Sequence, residues 1–133
     1  MKLVLDTNKL FTFFWKGSLV KKLSLAGHDL YSPKFALEEL KKHKSEIIKK
    51  SSISSSTFNE LLTDLQKAVK FVPLSEYADK ISKAFLLLKK HPKDVDFLAL
   101  ALEIGASIVS DDKELSKQSL VRIYNKSKYS ELF

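Results

Sequence analysis

Lys2-Leu3-Val4-Leu5-Asp6-Thr7-Asn8 opens the chain with a short apolar run that stops on an acid. Residues 2 to 5 read as a buried strand, and Asp6 stands where the strand gives way to a turn. The same arrangement recurs three times. Glu38 and Glu39 follow Tyr31-Ser32-Pro33 by a turn and a half. Asp94 and Asp96 open the apolar segment Phe97 to Ala106. Asp111 and Asp112 follow Ala106-Ser107-Ile108-Val109-Ser110. In an open α/β sheet, ligands bind at the carboxyl ends of the strands. Acids repeated at that edge are expected to converge. Converging carboxylates repel unless a cation neutralises them, so the pattern predicts a divalent-metal site.

The rest of the chain alternates strand and helix. A helix is expected over 18–26, ended by Gly27. Residues 29–32 form a second strand, and Ser32 is placed to cap a helix from Pro33 to about Lys50. After a serine-rich break, Phe58, Leu61, Leu62, Leu65 and Ala68 keep helical spacing over 57–69. A third strand spans 70–74 and a helix 76–90, broken at His91-Pro92 because the residue before proline resists helical geometry. A helix over 93–104 ends at Gly105. Strands follow at 107–110 and 121–124. This alternation predicts an α/β fold with a central parallel sheet of about five short strands, covered on both faces.

The 133 residues are expected to form a single domain, 1–133. There is no cysteine, so disulfides and thiol chemistry are excluded and a reducing cytoplasm is permitted. No apolar run approaches the ~20 residues of a membrane helix, and Asp6 interrupts the start too early for a signal peptide. The net charge is +7, from 23 basic and 16 acidic residues, with Arg122 the sole arginine. Four acids gathered around a metal leave 12 against 23 bases. That surface suits a polyanion such as RNA, although lysine-rich surfaces also serve solubility.

Several chemistries of strand-end aspartates drop out. A haloacid-dehalogenase phosphatase needs a second aspartate where Asn8 stands. A response-regulator receiver needs paired acids at the first strand and a lysine after the last, and neither is clear. A dinucleotide site needs a glycine-rich first turn, and the only glycines are Gly17, Gly27 and Gly105.

What remains resembles the PIN-domain nucleases, and within them the VapC-like toxins of prokaryotic toxin–antitoxin pairs. Leu3-Val4-Leu5-Asp6-Thr7-Asn8 is similar to the family's first motif. Pro33 to Leu40 is similar to the second, in which the functional glutamate precedes a leucine, favouring Glu39 over Glu38. Asp94 to Ala106 is similar to the third, with Asp94 at the family's aspartate. Ile108 to Leu115 is similar to the fourth, which selects Ser110 and Asp112, serine replacing the commoner threonine. The resemblance implies a three-layer α/β/α domain acting as a metal-dependent endoribonuclease. Its catalytic metal ligands would be Asp6, Glu39, Asp94 and Asp112, with Asp96 as a fifth ligand. It also implies a homodimer and a cognate antitoxin.

The residues themselves carry simpler readings beside these. Asp6, Asp94 and Asp112 each suit a helix cap, and Glu39 suits a solvated helix start. Asn8 and Ser110 are read either as groups that hold the carboxylates or as turn formers. Oxygen donors without paired histidines select Mg²⁺ or Mn²⁺ over Zn²⁺. Lys41, Lys42, Lys44, Lys89, Lys90 and Lys93 are candidate RNA contacts or a solvated face. Leu10-Phe11-Thr12-Phe13-Phe14-Trp15 reads chiefly as core, with base stacking or a dimer contact as rivals. The alternative function is a non-catalytic RNA-binding or scaffold module. A DNA nuclease of the flap type fits less well, since those relatives carry more acids and long insertions.

Overall fold

The computed structural model describes residues 1–88 and 92–133. Lys89, Lys90 and His91, and with them the expected helix break, lie outside the described residues. Five parallel strands form one sheet: β1 (Lys2–Leu5), β2 (Asp29–Pro33), β3 (Val69–Val72), β4 (Ser107–Val109) and β5 (Ile123–Tyr124). Their order is β3-β2-β1-β4-β5. Leu3, Val4 and Leu5 are consecutively and wholly buried, as expected of a central strand covered on both faces. The flanking helices are α1 (Thr7–Phe11), α2 (Leu19–Leu25), α3 (Lys34–Lys42), α4 (Lys44–Ser51), α5 (Ser55–Ala68), α6 (Ile81–Leu87) and α7 (Val95–Ile104). This is the expected α/β/α arrangement.

The strand order reverses between β1 and β4, which lie side by side with Leu3 opposite Ser107 and Leu5 opposite Val109. A crevice opens at such a switch point beyond the carboxyl ends of the strands. That register also places Asp6 beside Ser110, the residues that leave β1 and β4. Helix α7 packs against β1, β2 and β4 and buries Val95 and every residue from Phe97 to Ala101. Gly105 ends it with φ +69°, the left-handed conformation that glycine adopts without a Cβ penalty.

Four local expectations give way to tertiary structure. Ser32 does not cap a helix; it lies in β2 and its hydroxyl donates to the Leu5 carbonyl at 2.9 Å, joining two strands where β1 ends. The long helix expected from Pro33 divides at His43 into α3 and α4, ending at Ser52 in the left-handed region. The helix expected from 76 opens as two 3-10 turns, Leu74–Glu76 and Ala78–Lys80, before α6. The sequence also predicts a short helix over 113–118 capped by Asp112, and a single 3-10 turn, Leu115–Lys117, stands in its place.

Candidate active site

Asp6 leaves β1 and begins α1. Its Oδ1 accepts the Lys9 backbone N–H at 2.9 Å, the bond of a helix cap. Its Oδ2 accepts a short hydrogen bond from the Ser110 hydroxyl. Ser110 in turn accepts the Asp112 N–H at 3.1 Å. One serine therefore joins the end of β1 to the loop after β4. Asp6 is only 8% exposed. Burial pushes its carboxyl above the ordinary value, and the Ser110 and Lys9 hydrogen bonds act against that rise.

Asp94 stands at the N-terminus of α7 without capping it. It is 6% exposed, and its Oδ2 is buried with no hydrogen-bond partner among the described residues. Burial, then the Asp112 carboxyl beside it, push Asp94 up to about 7, while Lys93 pulls the other way and Asp6 adds to the rise. Two acids from different elements are thus pressed together in a poorly solvated corner, where like charges oppose ionisation. Asp112 also accepts the Glu114 N–H at 2.9 Å, a local turn bond that orients its carboxylate.

Glu39 comes from the middle of α3, half exposed, with its Oε2 3.4 Å from His43 Nε2. It shares a cleft of about 510 Å³ with Asp6, Asp94 and Asp112, walled by Asn8, Lys9, Lys93 and Asp111. Phe35 and Phe97, with ring centroids 5.4 Å apart, form an apolar wall of the same cleft. The four carboxylates expected to converge therefore line one cleft. Glu38 is exposed and pairs with Lys41 at 3.9 Å.

Other candidates are engaged elsewhere. Asp96 does not line the cleft; it accepts the Tyr77 hydroxyl at 2.6 Å. Burial and Asp96 push the Tyr77 pKa up, keeping it a donor. A fifth ligand place for Asp96 therefore has no geometric support. Lys44 reaches Asn59 at 3.2 Å and lies over the Phe58 ring. Lys41, Lys42 and Lys44 do not line the cleft, whereas Lys93 does. Lys89 and Lys90 lie outside the described residues.

Asp111 shows what the sequence concealed. It receives an ion pair from Lys9, the Lys126 N–H at 2.7 Å and the Tyr129 hydroxyl at 3.0 Å. Lys9 also lies over the Tyr129 ring, 5.2 Å from its centroid. Partial burial opposes the Asp111 charge, but Lys9, Lys126 and Tyr129 together hold its carboxyl below the ordinary value. This knot ties α1, the loop after β4 and the final 3-10 segment, Lys126–Leu132, to one rim of the cleft. Lys9 carried a faint signal, three residues after Asp6. Tyr129 carried none.

Among the described residues, no three acidic or histidine side chains already form a ligating cluster. The corner nevertheless fits a hard cation. Its donors are all carboxylate oxygens, and the orphaned Asp94 Oδ2 leaves a buried polar atom that needs a partner.

The family model of the PIN domain matches residues 4–129, and the chain belongs to that family. PIN domains are generally nucleases that use divalent metals. No curated protein matches the sequence. Among solved structures, this fold is similar to a chain in the crystal structure of VapBC2 from Rickettsia felis bound to a DNA fragment from their promoter. The TM-score is 0.70 and the identity 17%, over 94% of this chain and 98% of that one. No helix among the described residues is long and apolar enough to cross a membrane.

Proposed function

We propose that this chain is a metal-dependent endoribonuclease that hydrolyses RNA phosphodiester bonds, the toxin of a toxin–antitoxin pair. The observation that carries the reading is the buried oxygen of Asp94, unpartnered among the described residues, beside Asp112 and Asp6 at the switch point. Asp6, Glu39, Asp94 and Asp112 would hold one or two Mg²⁺ or Mn²⁺ ions. When bound, such an ion lowers the pKa of water at the site and offsets the charge of the phosphate.

The chain's own residues do the positioning. Ser110 fixes Asp6 through its hydroxyl and Asp112 through the backbone. Its loss slackens two ligands at once, as outer groups of metal sites do. Asn8 stands at the cleft mouth, placed to orient water or the strand. Phe35 and Phe97 exclude water from one side and strengthen the electrostatics within. Lys93 lines the cleft and offers an exposed positive charge to an incoming phosphate, while Lys41 and Lys42, outside the cleft on α3, would meet the strand only beyond it. The likeness to VapBC2 supports a cognate antitoxin, and the resemblance to VapC-like toxins implies a homodimer working in the cytoplasm.

The test is cleavage of a mixed RNA pool with Mn²⁺, comparing wild type with Asp94→Asn. Metal-dependent fragments from wild type alone support the reading. No cleavage of any RNA, with no Mn²⁺ binding by calorimetry, would overturn it in favour of an RNA-binding module.

A further inference from the structure

A second depression, of about 400 Å³, adjoins the acidic cleft, and Asn8 lines both. Its other walls are Phe11 from α1, Trp15, and Glu46, Ile47 and Lys50 from α4. The aromatic run divides here. Phe13 and Phe14 are buried, and Phe14 stacks on Phe58 with centroids 5.0 Å apart and planes 10° from parallel. Trp15 turns outward and is 47% exposed. Core packing therefore explains the middle of the run and leaves Trp15 without a structural role. Phe11 is half-buried, its ring held edge-on by His43 at 6.2 Å.

We infer that this groove seats an unpaired nucleobase of the RNA strand whose neighbouring phosphate lies in the acidic cleft. The inference rests on the reading of that cleft as an RNA site. Three observations select this occupant. The groove is continuous with the cleft through Asn8, so one strand crosses both without leaving the surface. Two of its six lining residues, Phe11 and Trp15, are aromatic, the side chains on which any base stacks, and its volume is that of a small-ligand cleft. Lys50 stands at the rim, 3.5 Å from Glu46 and mostly exposed, on a protein of net charge +7. A polar edge from Asn8, an aromatic floor and a rim cation match the three parts of a nucleotide. Duplex RNA keeps its bases stacked inside and does not fill the seat.

Trp15 is the only tryptophan in the chain, so its emission reports on this groove alone. The experiment uses wild-type protein in EDTA at low salt, where nothing is cut, with end-labelled single-stranded octanucleotides. Label anisotropy reads binding, and Trp15 emission reads the seat. Quenching by the octanucleotide, lost when one nucleotide at a fixed distance along the strand is made abasic, supports the inference. Trp15→Ala is expected to weaken binding of the intact strand by about five- to a hundredfold and to leave the abasic strand unchanged. Trp15→Phe, which keeps an aromatic face, should bind close to wild type. Matching melting temperatures exclude misfolding of either variant. Binding without a change in Trp15 emission, or equal loss of intact and abasic strands in Trp15→Ala, overturns the seat alone and leaves the groove to a protein segment. No binding of any strand overturns the seat, and overturns the reading of the cleft with it where Mn²⁺ also brings no cleavage.

Discussion

Asp111 is met by three donors, from Lys9, Lys126 and Tyr129, whereas its neighbour Asp112 is set against another acid, Asp94. The two regions share one loop and one cleft. In the first, charge is satisfied by the protein and holds three chain segments together. In the second, charge is crowded and one buried oxygen has no partner among the described residues. Buried polar groups are normally satisfied because leaving them unpaired costs free energy. A fold that satisfies one aspartate so fully and leaves the adjacent corner frustrated separates architecture from chemistry.

The largest expected effect comes from breaking the crowded side. Losing groups that only orient metal ligands typically costs 10–100-fold, so removing a ligand itself through Asp94→Asn or Asp6→Asn should lower Mn²⁺-dependent cleavage by about a hundredfold or more. Asp111→Asn should retain activity within about tenfold, because it leaves all four proposed ligands in place. Initial cleavage rates of the three variants test the division. Equal losses at Asp111 and Asp94 would erase it.

The next effect is thermodynamic and has a definite sign. Asp94 is raised from 3.8 to about 7 in the folded chain. Between those values the folded state binds more protons than the unfolded state, so the group's contribution to stability falls as pH rises. Asp6, also raised, acts in the same direction. Metal-free protein should therefore lose more stability between about pH 4 and pH 7 than Asp94→Asn does. The variant should be more stable than metal-free wild type near neutrality by about 1–2 kcal/mol. Urea titrations in EDTA across that range measure both. Mn²⁺ should remove the difference, and its affinity should rise with pH as it displaces protons.

On the satisfied side the sign reverses. Asp111→Ala leaves Lys9 and the Lys126 N–H without their acceptor and should destabilise the protein by about 1 kcal/mol, limited by solvent access to the pair. The loss should persist with Mn²⁺ present. A melting temperature unchanged from wild type would remove the knot's structural role.

The smallest effect separates two classes of lysine. Each lost phosphate contact to a single strand should flatten the salt dependence of RNA binding by about 0.7 in the log–log slope. Lys93→Ala should do so. Lys44→Ala should not, since Lys44 is occupied by Asn59 and Phe58. Binding titrations over a salt series, with catalytically inactive protein, read the two slopes.

Much of this was legible from residue order alone. Strands buried on both faces appear as unbroken apolar runs, and an acid that ends such a run must sit at the sheet's edge, which places Asp6 and the pair Asp111 and Asp112; the family resemblance selected Asp112 from that pair. Asp94 was recognisable at the start of the most apolar helix. Asp96 was legible in principle. Two residues along a helix turn by about 200°, so Asp94 and Asp96 cannot face one cleft. What the sequence could not show was pairing between distant positions. Ser32-Pro33 has the form of a helix start, but its hydroxyl is claimed by a carbonyl 27 residues earlier. The Asp111 knot depends on Lys9 and Tyr129, whose proximity exists only once the sheet is assembled. The outward turn of Trp15 was likewise hidden, because an aromatic run gives no sign of which ring the core has no room for.

The placement of β1 in the middle of the sheet also sets an order of events during synthesis. Its residues leave the ribosome about a hundred positions ahead of one of its two neighbours, β4, which begins at Ser107. At about 5–20 residues per second, translation separates the two strands by roughly 5–20 seconds. Until β4 arrives, Asp6 has no Ser110 to hold it, and Asp112 does not yet exist. The corner of Asp6, Asp94 and Asp112 can therefore be completed only once β4 and the loop after it have emerged.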